Sequence, residues 1–328
     1  MDLPAARMTA QSLTRPLPSA SAVVRHLVGV QSQSPWVAPH VIRPRVAPGA
    51  GLEPSDVVRT WVMRGTLHMV AAEDAGWLVA LLGPVFAAKT RPRRLQLGLT
   101  DELLARAVPA VVAALPATRG ELLAVAAAEG VPEGQARAHL LSYACMAGEA
   151  CIDTGERFVT VPETSTPADP LAELASRYLA AHGPAEAADF AAWSGLPLSR
   201  ARGAVPGRSA APEADPVPRV RLLGHLDPYL LGYADRSFAL DPRRSALVQR
   251  GGGFLQPLVL VDGRVAGTWS REQKAGGVEV AVDAFDDVPA AELDNELAAL
   301  GTALGRPVSL VRPRVDIASR DDQGHGRA

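Results

Sequence analysis

Apolar positions in the first third of the chain recur at helical spacing. Residues 5–13, Ala-Ala-Arg-Met-Thr-Ala-Gln-Ser-Leu, are weakly amphipathic. After Pro16 and Pro18 a stronger helix is predicted, with Ser19 or Ser21 as its cap and Val23, Val24, Leu27 and Val30 along one side. It should stop within residues 31–35, because Pro35 biases Ser34 away from the helical region and suits the start of a new helix at Trp36. Residues 55–62 read as a further helix, and Thr66-Leu67-His68-Met69-Val70 has strand composition. Helix, turn, helix, strand is a winged-helix outline.

The outline recurs. Residues 101–115 are predicted helical, Thr118-Arg119-Gly120-Glu121 is a capping box opening a helix to residue 129, and residues 133–147 follow as a third. Cys151-Ile152-Asp153 and Arg157-Phe158-Val159-Thr160-Val161 flank a Thr154-Gly155-Glu156 turn as a wing. Helices over 171–182, 185–193 and 198–204 suggest a third copy. Beyond a Pro-rich linker, 207–218, the period changes to short strands at 220–223, 229–233, 257–261 and 264–269, the last two joined by the hairpin dipeptide Asp262-Gly263. A helix over 291–304 and a strand over 308–311 follow, and the polar tail from about residue 318 reads as disordered. The predicted fold is therefore α+β. Unit 1 spans 1–96, unit 2 spans 97–165, a third helix-turn-helix unit spans 166–206, and a linker with a β-rich region spans 207–317.

With 48% hydrophobic and 21% charged residues in 328, the chain has material for a sizeable core, which argues against disorder over most of its length. Its longest apolar stretch, 76–88, contains Pro84 and falls short of the roughly 18 residues a membrane helix needs. No secretory pattern opens the chain, so a cytoplasmic protein is expected. Cys145 and Cys151 match neither a disulfide framework nor a zinc knuckle and read as reduced structural thiols. The net charge of −2 hides an asymmetry: residues 1–94 hold eleven Lys/Arg against five Asp/Glu, or +6, which leaves −8 for the rest. Of 33 basic residues only Lys89 and Lys274 are lysines. That fits GC-rich coding, and it also suits bidentate phosphate contact.

The common catalytic signatures are missing: no phosphate loop, GxSxG, HExxH or CxxC pair. His68 in its strand reads as a core or interface residue, and His225 beside Asp227 is a weak pair. No metal and no cofactor are expected. The segment Gln31-Ser32-Gln33-Ser34-Pro35-Trp36 differs in kind. On a helix, residues i and i+2 diverge, but in an extended turn they address one site. Two amides would then project from a helix-turn-helix inside the most basic third of the chain. Without other information, hydrogen-bonding phosphates or capping a helix is the favoured reading of the pair.

Six motifs in order resemble those of the AlkZ/YcaQ-like winged-helix DNA glycosylases: Ala6-Arg7-Met8 with Gln11-Ser12-Leu13, Val28 to Gln33, Met63 to His68, Asp189 to Leu196, Leu226 to Tyr233, and Val261 to Trp269. The resemblance covers nearly the whole chain. It implies tandem winged helices around a concave basic cleft, with Gln31 and Gln33 matching the catalytic Gln-x-Gln motif of the AlkZ branch where the YcaQ branch has Gln-x-Asp. Ser32 stands where an apolar residue is more common, and Gly224-His225 where a Pro-Ala type pair is more usual.

The implied activity makes chemical sense. An N7-alkylguanine or N3-alkyladenine is already cationic, so it leaves without a strong general acid, and what remains is water delivery and stabilisation of an oxocarbenium. A glutamine carbonyl can hold a water and face a cation, although it is no general base. No Asp or Glu occurs between Asp2 and Glu53, so the motif has no carboxylate nearby in sequence. The expected substrates are cationic N-alkylpurines, bulky antibiotic adducts included, in double-stranded DNA. The expected protein is a nucleoid-associated monomer serving general repair or self-resistance. A non-catalytic winged-helix regulator is the rival reading. Candidate DNA contacts are Arg43, Arg45, Lys89, Arg91, Arg93 and Arg94, with Arg200 and Arg202 on the third unit. Arg236, Arg243, Arg244 and Arg250 sit on a loop that could reach a groove.

Overall fold

The computed structural model describes residues 2–34, 37–250 and 254–311. α1 (Leu3–Ala10) is capped by Asp2, whose carboxylate accepts from the Ala5 N–H, and α2 (Ala20–His26) by Ser19, as predicted. That second helix is shorter than its apolar spacing suggests. Val28 takes a left-handed conformation (φ 64°), and Val30 then belongs to a two-residue strand, β1 (Val30–Gln31). A Cβ at Gly29 would sit 2.8 Å from Met63 Cε and 3.1 Å from Val70 Cγ1, so a larger residue there would make these side chains shift. α3 (Val37–Ile42) follows. The helix start expected at Trp36, and Pro35 before it, lie outside the described residues.

One expectation fails in the next stretch. Residues 55–62 form no helix. Val57–Trp61 is strand β2, and its β-branched and aromatic side chains suit a strand paired on both edges. It pairs antiparallel with β3 (Leu67–Ala71) from Val57↔Ala71 to Trp61↔Leu67. The 25-residue helix α4 (Ala72–Gln96) goes against its own sequence, because Pro84 and Pro92 within it argue locally against a helix. Burial of Trp77, Leu78, Leu82 and Phe86 holds it together.

α5 (Asp101–Ala113), β4 (Ala117–Thr118), α6 (Arg119–Ala128) with the Thr118/Glu121 capping box, α7 (Gln135–Met146) and the hairpin β5 (Cys151–Ile152) and β6 (Arg157–Val159) match the predicted pattern closely. The hairpin is not a separate wing, however. Arg59 pairs with Ile152, and the strands of both segments make one six-stranded sheet in the order β1-β3-β2-β5-β6-β4. α8 (Pro170–His182), α9 (Ala187–Ser194) and α10 (Leu198–Ala204) form the helical third segment.

The linker is pinned rather than loose: Asp215 accepts from Thr14 Oγ1 at 3.0 Å, and its N–H donates to Thr9. β7 (Val220–Leu223) is as expected. The strand predicted over 229–233 is instead the short helix α11 (Pro228–Leu231), because Asp227 caps the Tyr229 N–H at 2.8 Å and Pro228 occupies the first turn. α12 (Ser245–Val248), β8 (Gln249–Arg250) and β9 (Phe254–Leu255) precede a five-stranded sheet. That sheet runs β13-β12-β11-β10-β7 and uses β10 (Leu258–Val261), β11 (Arg264–Lys274), β12 (Gly277–Ala284) and β13 (Val308–Val311). β12 is absent from the predicted elements, although Val278, Val280 and Val282 recur at the period of two that marks a strand. α13 (Ala290–Leu304) packs on this sheet through Leu293, Leu297 and Leu300. Asp262 and Gly263 both have positive φ, as a tight hairpin requires. The tail expected to be disordered lies outside the described residues, and among them no helix is long and apolar enough to cross a membrane.

One apolar core draws side chains from α1 to α4, α8 to α10 and the start of the β-rich region, while a second is centred on α5 to α7. A buried polar seam runs through the first. Arg45 is fully buried and holds Asp227 through two bonds of 2.7 and 2.9 Å, and its Nη2 also reaches Gln11 Oε1 at 2.9 Å. Gln11 in turn donates to Tyr233 Oη, and the Arg7 guanidinium lies 3.7 Å from the Tyr233 ring centroid and 3.6 Å from Asp189.

Candidate active site and nucleic-acid interface

The two motif amides meet. β1 pairs with β3 so that Gln31 lies opposite His68, and the Ser32 N–H donates to Leu67 O at 2.9 Å. Gln31 is buried, and its Nε2 donates to Oε1 of exposed Gln33 at 3.1 Å. Gln31 Oε1 accepts from Arg64 Nη2 at 2.8 Å. The polarity of this chain is forced. A guanidinium only donates, so Gln31 must turn its carbonyl to Arg64 and its NH₂ to Gln33, which must answer with its own carbonyl. The remaining lone pair of that carbonyl, and the Gln33 NH₂, are left for a ligand.

Arg64 is the residue sequence reasoning missed, although Met63-Arg64-Gly65 lies in plain view inside one of the six motifs. It is held in a left-handed conformation (φ 56°) beside Gly65 (φ 69°), and its Nη1 donates to the Trp193 carbonyl at 2.8 Å. Gly195 ends α9 against it, and a Cβ there would lie 2.9 Å from Arg64 Cα. Two motifs far apart in sequence thus close on one guanidinium. Burial, with the nearby charge of Arg236, lowers Arg64 to about 10, which still leaves it cationic at neutral pH. His68 is pushed down to about 3, first by burial and then by Arg64, so it is neutral, and its Nδ1 faces Thr66 O at 2.9 Å.

Gln33 opens onto a cavity of about 440 Å³ that it shares with Arg59, Trp61, Leu67, Arg119 and Glu156. Its neighbours face other spaces. Ser32 lines a cavity of about 190 Å³ bounded by α3, β2 and the β5–β6 turn, and Ser34 one of about 640 Å³ with His40, His225, Phe254 and Trp269.

The arginines expected on DNA divide into groups. Arg45 belongs to the buried seam, and Arg43 is equally spent, donating to Leu222 O at 2.7 Å and Glu296 at 3.0 Å. Arg94 is buried too, on Thr90 Oγ1 and Ala87 O and over the Tyr143 ring. None of these three guanidiniums can reach a phosphate without breaking the interior, so their assignment to DNA is corrected. Lys89 is exposed and donates to Gly195 O at 2.7 Å. Exposed Arg91 pairs with Asp101, exposed Arg243 with Asp241 and part-buried Arg244 with Asp286, while Arg93 donates to Gln135. Arg200 and Arg202 are exposed on α10, and Arg236 is half-buried near Arg64. The Arg250 side chain lies outside the described residues.

The α+β scaffold thus brings a guanidinium-anchored glutamine pair to a cavity. Comparison with known proteins supplies the class. The model of the AlkZ-like DNA glycosylase family matches residues 24–307, and the chain belongs to that family. It is 29% identical to the interstrand DNA cross-link repair glycosylase of Streptomyces sahachiroi, over 91% of this chain and 95% of the relative. Its structure is similar to that of the Streptomyces sahachiroi DNA glycosylase AlkZ, with a TM-score of 0.75 at 26% identity, covering 94% of this chain and 98% of the other.

Proposed function

We propose that this chain is a monofunctional glycosylase that hydrolyses the N-glycosidic bond of cationic N-alkylpurines in duplex DNA. N7-alkylguanine comes first, with N3-alkyladenine and bulky antibiotic adducts as further substrates. The observation that carries the reading is the polarised chain Arg64 to Gln31 to Gln33 ending in a free carbonyl lone pair at a cavity. In the reaction the C1′–N bond breaks with its electron pair passing to the purine, which loses its charge, and the positive charge moves to the sugar. The Gln33 carbonyl holds the water that adds to C1′ and faces the oxocarbenium, the water's proton passing to bulk solvent as the C1′–O bond forms, while Gln31 and Arg64 keep the carbonyl aimed. Hydrogen-bond chains polarise one another, which strengthens the terminal dipole. In this reading a carboxylate at position 33, as the Gln-x-Asp motif would place there, accepts from Gln31 in the same way as the amide.

The helix-turn-helix segments 1–96, 97–165 and 166–206, with the β-rich region 207–317, are proposed to line a concave cleft. In this reading the protein acts as a monomer at the nucleoid, in repair or in self-resistance. Because the similar protein of Streptomyces sahachiroi is named for cross-link repair, cross-links are included among the proposed lesions. The test is incubation of the purified chain with N7-methylguanine duplex in EDTA, scored by abasic-site cleavage and released base. Excision is expected to proceed. Tight duplex binding with no abasic sites would favour a regulator, and activity restored only by zinc or magnesium would overturn the metal-free mechanism.

Phosphate contact is proposed for exposed Lys89, Arg91, Arg93, Arg200, Arg202 and Arg243 and for half-buried Arg236 and Arg244. Arg200 and Arg202 give the cleanest trial, since neither makes an ion pair among the described residues. Replacing both by Ala should flatten the salt dependence of duplex binding by about one unit of slope for each phosphate no longer neutralised, whatever the sequence. An unchanged slope assigns them to solvation alone.

A further inference from the structure

No carboxylate lies near Gln33 in sequence, yet one shares its cavity. Glu156, from the β5–β6 turn, lines the same cavity as Gln33, about 440 Å³ in volume. Its Oε2 lies 2.5 Å from Nη2 of Arg59, a residue of the central strand β2 with only 11% of its side chain exposed, against 71% for Glu156. Its other oxygen, Oε1, accepts no hydrogen bond from the described residues. The backbone at Glu156 is left-handed (φ 63°), held by its own N–H to Asp153 O at 3.3 Å and by the Arg157 N–H to Asp153 Oδ1 at 2.9 Å. That conformation is the one a three-residue hairpin loop, closed here by the Asp153 N–H to Arg157 O, requires of its last position.

From this juxtaposition we infer that Glu156, oriented by Arg59, joins the Gln33 carbonyl in facing the migrating positive charge and sets the preference for cationic substrates. Arg59, nearly buried, holds one oxygen of the exposed Glu156 carboxylate, and Arg119 lines the same cavity. When the C1′–N bond breaks, the charge leaves the purine for the sugar, and a carboxylate already oriented by Arg59 stabilises that charge. The sequence separation of 123 residues between positions 33 and 156 hides the pairing. This inference rests on the glycosylase reading above.

Two measurements test it. Single-turnover excision of N7-methylguanine by E156Q, which keeps the shape and the reach to Arg59, should be slower by about tenfold or more, with E156D between the two and duplex affinity within about twofold of wild type. Independently of turnover, wild type should bind duplex carrying a cationic pyrrolidine abasic nucleotide more tightly than duplex carrying neutral tetrahydrofuran, and E156Q should lose about tenfold of that preference. If wild type makes no abasic sites, the glycosylase reading falls and takes this inference with it. If wild type excises and E156Q matches it in preference, whether or not it is slowed, the electrostatic role alone is overturned and the bridge to Arg59 serves structure.

Discussion

Gln31→Ala is expected to slow excision of N7-methylguanine by about two to three orders of magnitude while leaving duplex affinity nearly unchanged, and Gln33→Ala should do the same. The two losses have different origins. Without Gln33 the water and the oxocarbenium lose the carbonyl that faces them. Without Gln31 that carbonyl stays in place but nothing aims it, because the 3.1 Å bond to Gln33 and the 2.8 Å bond from Arg64 disappear together. The double variant should therefore be little worse than either single one, the signature of residues acting as a unit. Gln33→Asp should retain activity, since a carboxylate still accepts from Gln31 Nε2. Gln31→Glu should not, because a carboxylate accepts from Arg64 but has no proton for Gln33. Wild-type rates in both Ala variants, or a failure that merely tracks lost binding, would remove the glutamines from the chemistry.

The second large effect concerns stability. Arg45→Met leaves Asp227 charged, fully buried and without its guanidinium, and breaking such a pair costs about 3–5 kcal/mol. The urea midpoint should fall sharply. Activity should fall only with the unfolded fraction, and the salt dependence of DNA binding should stay as in wild type. Converting both partners to apolar residues of similar volume should recover much of the stability, because it removes the uncompensated charge. A flattened salt slope with an unchanged midpoint would return Arg45 to the DNA surface.

The contrast between Arg45 and Arg200 shows where sequence reading stops. Both are arginines in segments predicted to touch DNA, and charge counting treats them alike. One is a core cation committed to Asp227 and Gln11, and the other is exposed. Nothing within a few residues of Arg45 announces its partner, which lies 182 positions away. The motif residues Arg7, Gln11, Asp189, Asp227 and Tyr233 follow the same logic: they form the seam that joins the first, third and fourth segments, not the site itself.

Local signals did determine a good deal. The Ser19 cap, the Thr118/Glu121 capping box, the Asp262-Gly263 turn and the Gln-x-Gln spacing all rest on interactions among residues a few positions apart, which is why they were legible. Tertiary structure decided what long-range pairing controls. Val57–Trp61 became a strand because β3 and β5 take both its edges, and Ala72–Gln96 stayed helical through two prolines because its apolar face is buried. At the site, the sequence placed two amides side by side but could not orient them. Their direction comes from Arg64, and the carboxylate that shares the Gln33 cavity comes from a hairpin over a hundred residues downstream, because donors and charges act across space and the chain order does not record those distances.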